Sequence, residues 1–268
     1  MGKICHLTDT HLNFIDDIES WWADILLANN DCDCFLFTGD VSTSSNIQYV
    51  LDIFESTSKP VYYVLGNHDY YSTSIETLRD DIGKRKPSNV TFLTQSNPIV
   101  LSPTSILIGD DGWYDGRNGT YWASNESLND FRYIKEFKGH GKQARLMIMQ
   151  RYADRSANRI SELIKKAIVD HPQMNDLYIA THVPPFANAA WYMGKKSNND
   201  FLPFFSNFCV GSSIESSSKE FRESGKNVWV YCGHTHCFGV TSPAENLNVI
   251  TSGAQYYKPK VSNIINYE

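Results

Sequence analysis

A chain of 268 residues, 41% hydrophobic and 20% charged, is long enough to bury roughly 70% of the surface its extended form would expose, and too apolar to stay disordered. Its net charge of -6 disfavours non-specific adhesion to duplex nucleic acid or anionic lipid, yet leaves room for a nucleotide, because bound cations create positive potential inside an acidic protein. The six cysteines read as free thiols, since a domain of this size needs no disulfide staples; the first residues, MGKICHLTDTH, lack the apolar run of a leader or membrane span, so a cytoplasmic location is expected.

In chain order, residues 3–7 form a short apolar strand that ends at Thr8-Asp9-Thr10-His11. Residues 17–28 then place Ile18, Trp21, Trp22, Ile25 and Leu26 at helical spacing. The same alternation recurs in a strand at 34–37 before Gly39-Asp40, a helix at 46–54, and a strand at 61–65 before Gly66-Asn67-His68-Asp69. Strands at 90–93 and 105–108 follow, then an irregular stretch at 109–116. A helix is expected at 156–169 and a strand at 177–180 that runs into Thr181-His182. Residues 184–210 read as an irregular, aromatic-rich insertion with short helical pieces, either packed by its own aromatics or roofing the site in contact with substrate, within a single domain spanning 1–268. A helix at 213–222, a strand at 227–232 before Gly233-His234-Thr235-His236, and a last strand at 247–250 complete the pattern.

Polar, chemically capable residues therefore sit repeatedly where a strand ends. Taken singly, each has an ordinary reading: Asp9 as a cap, Asp40 as an Asx turn, Asn67 as a turn residue, His68 and His182 as hydrogen-bonded imidazoles. Taken together, strand ends in an α/β scaffold converge on one crevice, so Asp9, His11, Asp40, Asn67, His182, His234 and His236 form one candidate ligand set. Imidazole and carboxylate suit Mn, Fe, Zn, Ni or Co, and a shared carboxylate can bridge two cations and damp their repulsion. Such a pair activates a water to attack phosphorus and stabilises charge on the phosphoryl oxygens.

The ordered blocks Asp9-Thr10-His11, Gly39-Asp40, Gly66-Asn67-His68-Asp69, Thr181-His182 and Gly233-His234-Thr235-His236 resemble those of the calcineurin-like metallophosphoesterase superfamily. The resemblance covers nearly the whole chain and implies an α/β four-layer α/β/β/α sandwich with two mixed β-sheets. It implies two divalent or mixed-valence ions, Mn and/or Fe before Zn, Ni, Co or Mg. One would be held by Asp9, His11, Asp40 and His236, the other by Asp40, Asn67, His182 and His234. His68 would be the catalytic imidazole that protonates the departing oxygen, and the nucleophile a metal-bound hydroxide. The protein-phosphatase branch carries an aspartate three positions after its GD block, followed by arginine; here Thr43 and Ser44 stand there, which weakens a phosphoprotein substrate. Asp69 is the candidate left to orient His68.

The expected substrate is a phosphate-ester small molecule, a small phosphodiester or nucleotide-like compound, with Trp113, Tyr114, Tyr121, Trp122, Trp191 and Tyr192 available to stack on a base or to pack a core. A small-molecule phosphomonoesterase, with Arg117, Lys195 or Lys196 beside a terminal phosphate, is the alternative enzyme; a catalytically silent metal-stabilised interaction module is the non-enzymatic one. Duplex nucleic acid is disfavoured, no membrane association is expected, and no protein partner can be inferred.

Overall fold

The structure, a computed structural model, describes residues 1–86 and 89–268. Its strands in chain order are β1 (Gly2–Leu7), β2 (Cys34–Thr38), β3 (Val61–Val64), β4 (Val90–Phe92), β5 (Ile99–Ser102), β6 (Ser105–Gly109), β7 (Asp176–Ala180), β8 (Trp191–Tyr192), β9 (Lys195–Lys196), β10 (Asn227–Cys232), β11 (Gly239–Ala244), β12 (Leu247–Thr251) and β13 (Asn263–Tyr267). One sheet has the order β13-β1-β2-β3-β4, with β1 to β4 parallel and β13 antiparallel to β1. The other runs β11-β12-β10-β7-β6-β5, parallel through its four inner strands and antiparallel at both edges. The helices are α1 (Ile18–Ala28), α2 (Ile47–Glu55), α3 (Ile75–Gly83), α4 (Asp130–Tyr133), α5 (Lys142–Asp170), α6 (Leu202–Phe205), α7 (Phe208–Ser217) and α8 (Lys219–Glu223).

Alternate residues of each strand feed different layers, because side chains on a strand point to opposite faces. Ile4, Leu36 and Val64 of the first sheet meet Leu107, Tyr178, Ala180 and Tyr231 of the second in a dry layer between the sheets. Their neighbours Cys5, Leu7, Phe35, Phe37 and Tyr63 pack outward on Trp22 of α1 and on Val50 and Phe54 of α2. On the opposite face, Ile106, Leu177, Ile179, Val228 and Val230 pack against Ile160, Leu163, Ile164 and Ala167 of α5 and Val210 and Ile214 of α7. The result is the four-layer α/β/β/α sandwich, and burial on both faces explains why the strands read as unbroken apolar runs.

Several elements differ from their sequence reading. α5 spans 29 residues and begins at Lys142, well before residue 156, because Met149, Tyr152 and Ala153 extend its buried stripe among arginines and glutamines. The single helix expected at 213–222 is two, α7 and α8, divided at Ser218, whose hydroxyl bonds back to the Ile214 carbonyl. β5, β11 and β13 are additional edge strands, and β13 closes the free side of β1 in the register Gly2↔Tyr267 to His6↔Asn263. Among the described residues no helix is long and apolar enough to cross a membrane. All six cysteines are free.

The two sheets are also clamped by charge. Asp111, just beyond β6 and fully buried, accepts the Leu65 amide at 2.7 Å from the end of β3 and the Thr94 hydroxyl at 2.7 Å. Its second oxygen takes both Nε (3.0 Å) and Nη2 (2.7 Å) of Arg79 and the Tyr70 hydroxyl at 2.5 Å. Removing one partner of such a pair leaves a buried, uncompensated charge. Arg79→Ala is therefore expected to cost roughly 3–5 kcal/mol of unfolding free energy, read as a lower urea midpoint at unchanged slope. A loss of about 1 kcal/mol or less, the scale of an exposed pair, would sink this account of the clamp.

Candidate metal centre

The parallel strands β1, β2, β3, β7 and β10 end along one rim, and each delivers its polar turn there. The turns are tied to one another by backbone bonds: Asp9 N to Gly39 O (3.0 Å), His11 N to Asp40 O (2.9 Å) and Gly233 N to His182 O (3.0 Å). Five residues of the rim hold positive φ without being glycine: Asp9 (47°), His11 (42°), Asp40 (50°), His234 (70°) and His236 (57°). Each such conformation costs on the order of 1–3 kcal/mol and persists only where the surroundings over-determine it. Gly66 and Gly233 admit the closest approaches, since a Cβ on either would lie 2.1 Å from a carboxylate oxygen, of Asp40 and Asp9 respectively.

Two sets of atoms of ligand type meet at Asp40, of which the first forms a compact four-residue cluster. In the first, one atom each of Asp9, His11, Asp40 and His236 lie within 4.8 Å of one another. His11 Nε2 and His236 Nε2 face each other at 3.1 Å, and His236 Nε2 stands 3.3 Å from Asp9 Oδ1. In the second, His182 Nε2 lies 3.4 Å from Asp40 Oδ2, 3.1 Å from Asn67 Oδ1 and 3.3 Å from His234 Nδ1, while His234 Nδ1 and Asn67 Oδ1 are 2.9 Å apart. The far nitrogens of the second group are fixed by carbonyls, His182 Nδ1 by Thr38 (2.9 Å) and His234 Nε2 by Phe204 (2.9 Å). Such carbonyl contacts set the tautomer that leaves the other nitrogen free to ligate.

His68 stands at the edge of both groups. Its Nε2 is 4.0 Å from Asp40 Oδ2, its amide donates to Asp40 Oδ1 (2.8 Å), and its ring stacks on Tyr71 at 4.4 Å. Asp69 does not orient it. Both Asp69 oxygens are spent on the amides of Ser42 (2.7 Å), Gly66 (2.8 Å) and Val41 (3.3 Å), which makes this residue a staple between two turns. Thr43 pairs with Ser45 at 3.0 Å, and the Ser44 hydroxyl bonds to the Tyr71 carbonyl.

A cavity of about 410 Å³ opens over these groups, lined by His68, Asn129, Thr235 and four aromatic side chains, Tyr71, Tyr192, Phe205 and Tyr256. Of the six aromatics expected to stack or pack, Trp113, Tyr114 and Tyr121 are buried, Trp122 is exposed, Trp191 carries Lys196 Nζ on its face at 4.1 Å, and Tyr192 alone lines the cavity. Tyr256, unremarked in the sequence, covers His11 at 4.5 Å and His236 at 4.8 Å. Among the described lining residues there is no lysine or arginine. Arg117 is paired with Asp115 (3.4 Å) and Asp154 (2.9 Å), Lys196 bonds to Thr241 (3.0 Å), and Lys195 is exposed on the β8–β9 hairpin. Asp130 is buried in the cavity wall beside Asn67 and accepts a hydrogen bond from its amide nitrogen at 2.9 Å.

Residues 2–238 match the family model described as calcineurin-like phosphoesterase. Among solved structures, a dimetal phosphatase from Danio rerio is similar, at 15% identity and a TM-score of 0.56 over 94% of this chain and 87% of that one. A 5'-nucleotidase from Candida albicans is matched at 13% identity and a TM-score of 0.45, over 94% of this chain and 45% of that one. Comparison with curated protein sequences gives no match.

The charge balance of the rim fits cations. Burial pushes the Asp9 and Asp40 carboxyls up, but facing imidazoles outweigh it: His236 and then His182 hold Asp9 at about 2, and His182 and then His68 hold Asp40 well below the ordinary carboxylate range. Burial drives His11 and His234 down to about 4. His182 goes the other way, because Asp40 outweighs burial and raises it to about 10. The neutral imidazoles of His11 and His234 turn lone pairs towards the same buried carboxylates, an arrangement that a cation would stabilise, and His11 Nδ1 is buried with no hydrogen-bond partner.

Without ions, the raised His182 value contributes stability that is full below the ordinary 6.5 and lost as pH rises through about 10. An ion entering between Asp40 and His182 must displace that proton. Its affinity is accordingly expected to rise with pH across the neutral range with proton release on binding, to which His236, raised by its bond to Asp9, would add. Calorimetric manganese titration in buffers of different ionisation heat measures this; no buffer dependence would mean that His182 is already neutral.

Proposed function

From the premise that the chain belongs to the calcineurin-like phosphoesterase family and is a metal-dependent phosphoesterase, we propose that its substrate is a small phosphodiester carrying a planar, nucleotide-like group. The observation that carries this reading is the cavity lining: four aromatic side chains and no lysine or arginine among the described residues. A monoester presents a dianionic phosphate, which proteins ordinarily meet with an added cation such as a bidentate arginine. A diester carries one charge and a second substituent, which an aromatic wall can seat by stacking, worth about 1–3 kcal/mol per base. With Arg117 and Lys196 committed elsewhere and Lys195 out on the hairpin, no observation favours the monoesterase.

In this reading one ion is held by Asp9, His11, Asp40 and His236 and a second by Asp40, Asn67, His182 and His234. When bound, Mn and/or Fe ions would supply a water of lowered pKa and neutralise charge on the phosphoryl oxygens. His68 protonates the departing oxygen. It lines the cavity without belonging to either set of ligand-type atoms, and its stacking on Tyr71 holds the ring. Tyr256 and Tyr192 line the cavity and offer faces on which the second substituent would pack. Six free thiols suit a reducing compartment, so a cytoplasmic location is part of the same reading.

Hydrolysis of bis-p-nitrophenyl phosphate and p-nitrophenyl phosphate by manganese-loaded protein tests it, with His68→Ala as the contamination control. The diester is expected to be preferred, and His68→Ala to lose about 10²–10⁴-fold in kcat at unchanged metal content. Preferential cleavage of the monoester would move the assignment to phosphatase. Asp40→Asn is expected to lower occupancy of both ions by elemental analysis; two ions retained at full activity would remove its bridging role.

A further inference from the structure

Asp130 enters from α4, a single turn held beside the end of β3 by the bond from Ser72 N to Tyr133 O (2.8 Å). Its carboxylate is buried and accepts three hydrogen bonds, all from neutral donors: Asn67 Nδ2 at 2.9 Å and the Tyr71 hydroxyl at 2.7 Å on one oxygen, and the Tyr114 hydroxyl at 2.6 Å on the other. Each donor belongs to a residue that touches the rim. Asn67 turns its oxygen to His182 and His234, Tyr71 stacks on His68, and Tyr114 stacks on His234 at 5.9 Å.

An ionised carboxylate only accepts, so Asp130 dictates which way the Asn67 amide faces. The reverse orientation would set the Asn67 oxygen against a carboxylate oxygen and its NH₂ against the nitrogens meant to meet a cation. Burying an anion among neutral donors is costly unless a positive charge lies near, and the space beyond the Asn67 oxygen is where one would sit. On the dinuclear reading above, we infer that Asp130 is a positioning residue: its charge sets the affinity of the second ion through Asn67, and its hydrogen bond to Tyr71 fixes the ring that supports His68.

Asp130→Asn keeps the shape and can still accept from Asn67 and Tyr71, so it removes charge with little change in packing. Manganese titration by calorimetry and native mass spectrometry, with melting of the chelated protein as the folding control, is expected to show the first ion bound as in wild type. The second should bind about 10–100-fold more weakly, with turnover recovering at excess manganese. Wild-type affinity for both ions in the variant would overturn the proposal, as would equal weakening of both. A wild-type protein that binds a single ion would remove the dinuclear reading and this inference with it, an outcome told apart because it appears before any substitution is made. Should Asp130→Asn not fold, Tyr71→Phe tests the other branch: a several-fold lower kcat at unchanged KM and unchanged metal content is expected, and an unchanged kcat would overturn it.

Discussion

Everything at the rim is arranged around the carboxylate of Asp40. One of its oxygens holds the amide of His68, and the other faces His182 at 3.4 Å, His11 at 3.8 Å and His68 at 4.0 Å. The first sheet supplies Asp9, His11, Asp40 and Asn67, and the second supplies His182, His234 and His236. Neither sheet makes the centre alone. Its dimensions are set by how Leu36 and Val64 pack on Leu107 and Ala180 in the layer between them, so the chemistry of the rim is tied to side chains that never reach it.

The cost of that convergence is visible in the backbone. Five non-glycine residues of the rim are held in the left-handed region, and the turn of one of them, Asp40, is riveted to the Gly66–Asp69 segment by the Asp69 carboxylate. Glycine is placed where a side chain could not fit, at Gly66 over Asp40 and Gly233 over Asp9. Strain concentrated at strand ends and absorbed by a rigid sandwich is how a pre-shaped site is kept before anything binds.

Strand ends were legible in the sequence because doubly buried strands are short apolar runs, after which a Gly-Asp or Gly-Asn-His turn stands out. The supporting shell was not legible. Asp130 lies in an unremarkable stretch, and only the docking of α4 beside Asn67 gives it meaning. Asp69 sits inside a motif, which suggested a role on His68, whereas the fold spends it on amides. Among aromatics, composition could not separate Trp113 and Tyr114, buried against α5 and the loops, from Tyr71 and Tyr256, which line the cavity. The first turns of α5 are masked in the sequence because their buried stripe is diluted by arginine and glutamine, and β13 because it is an edge strand with one buried face.

The pairing of β13 with β1 has a further effect. Gly2 lies opposite Tyr267, so the first and last strands start and finish side by side, and β1 runs from that point to the rim at Asp9. Residues 2 and 267 therefore share the edge of the first sheet remote from the cavity mouth. A Cβ on Gly2 would fall 2.2 Å from Cζ of the Tyr267 ring, so the seam between β1 and β13 admits only glycine there, and a side chain at that remote position would push apart the strand that carries Asp9 and His11 to the rim.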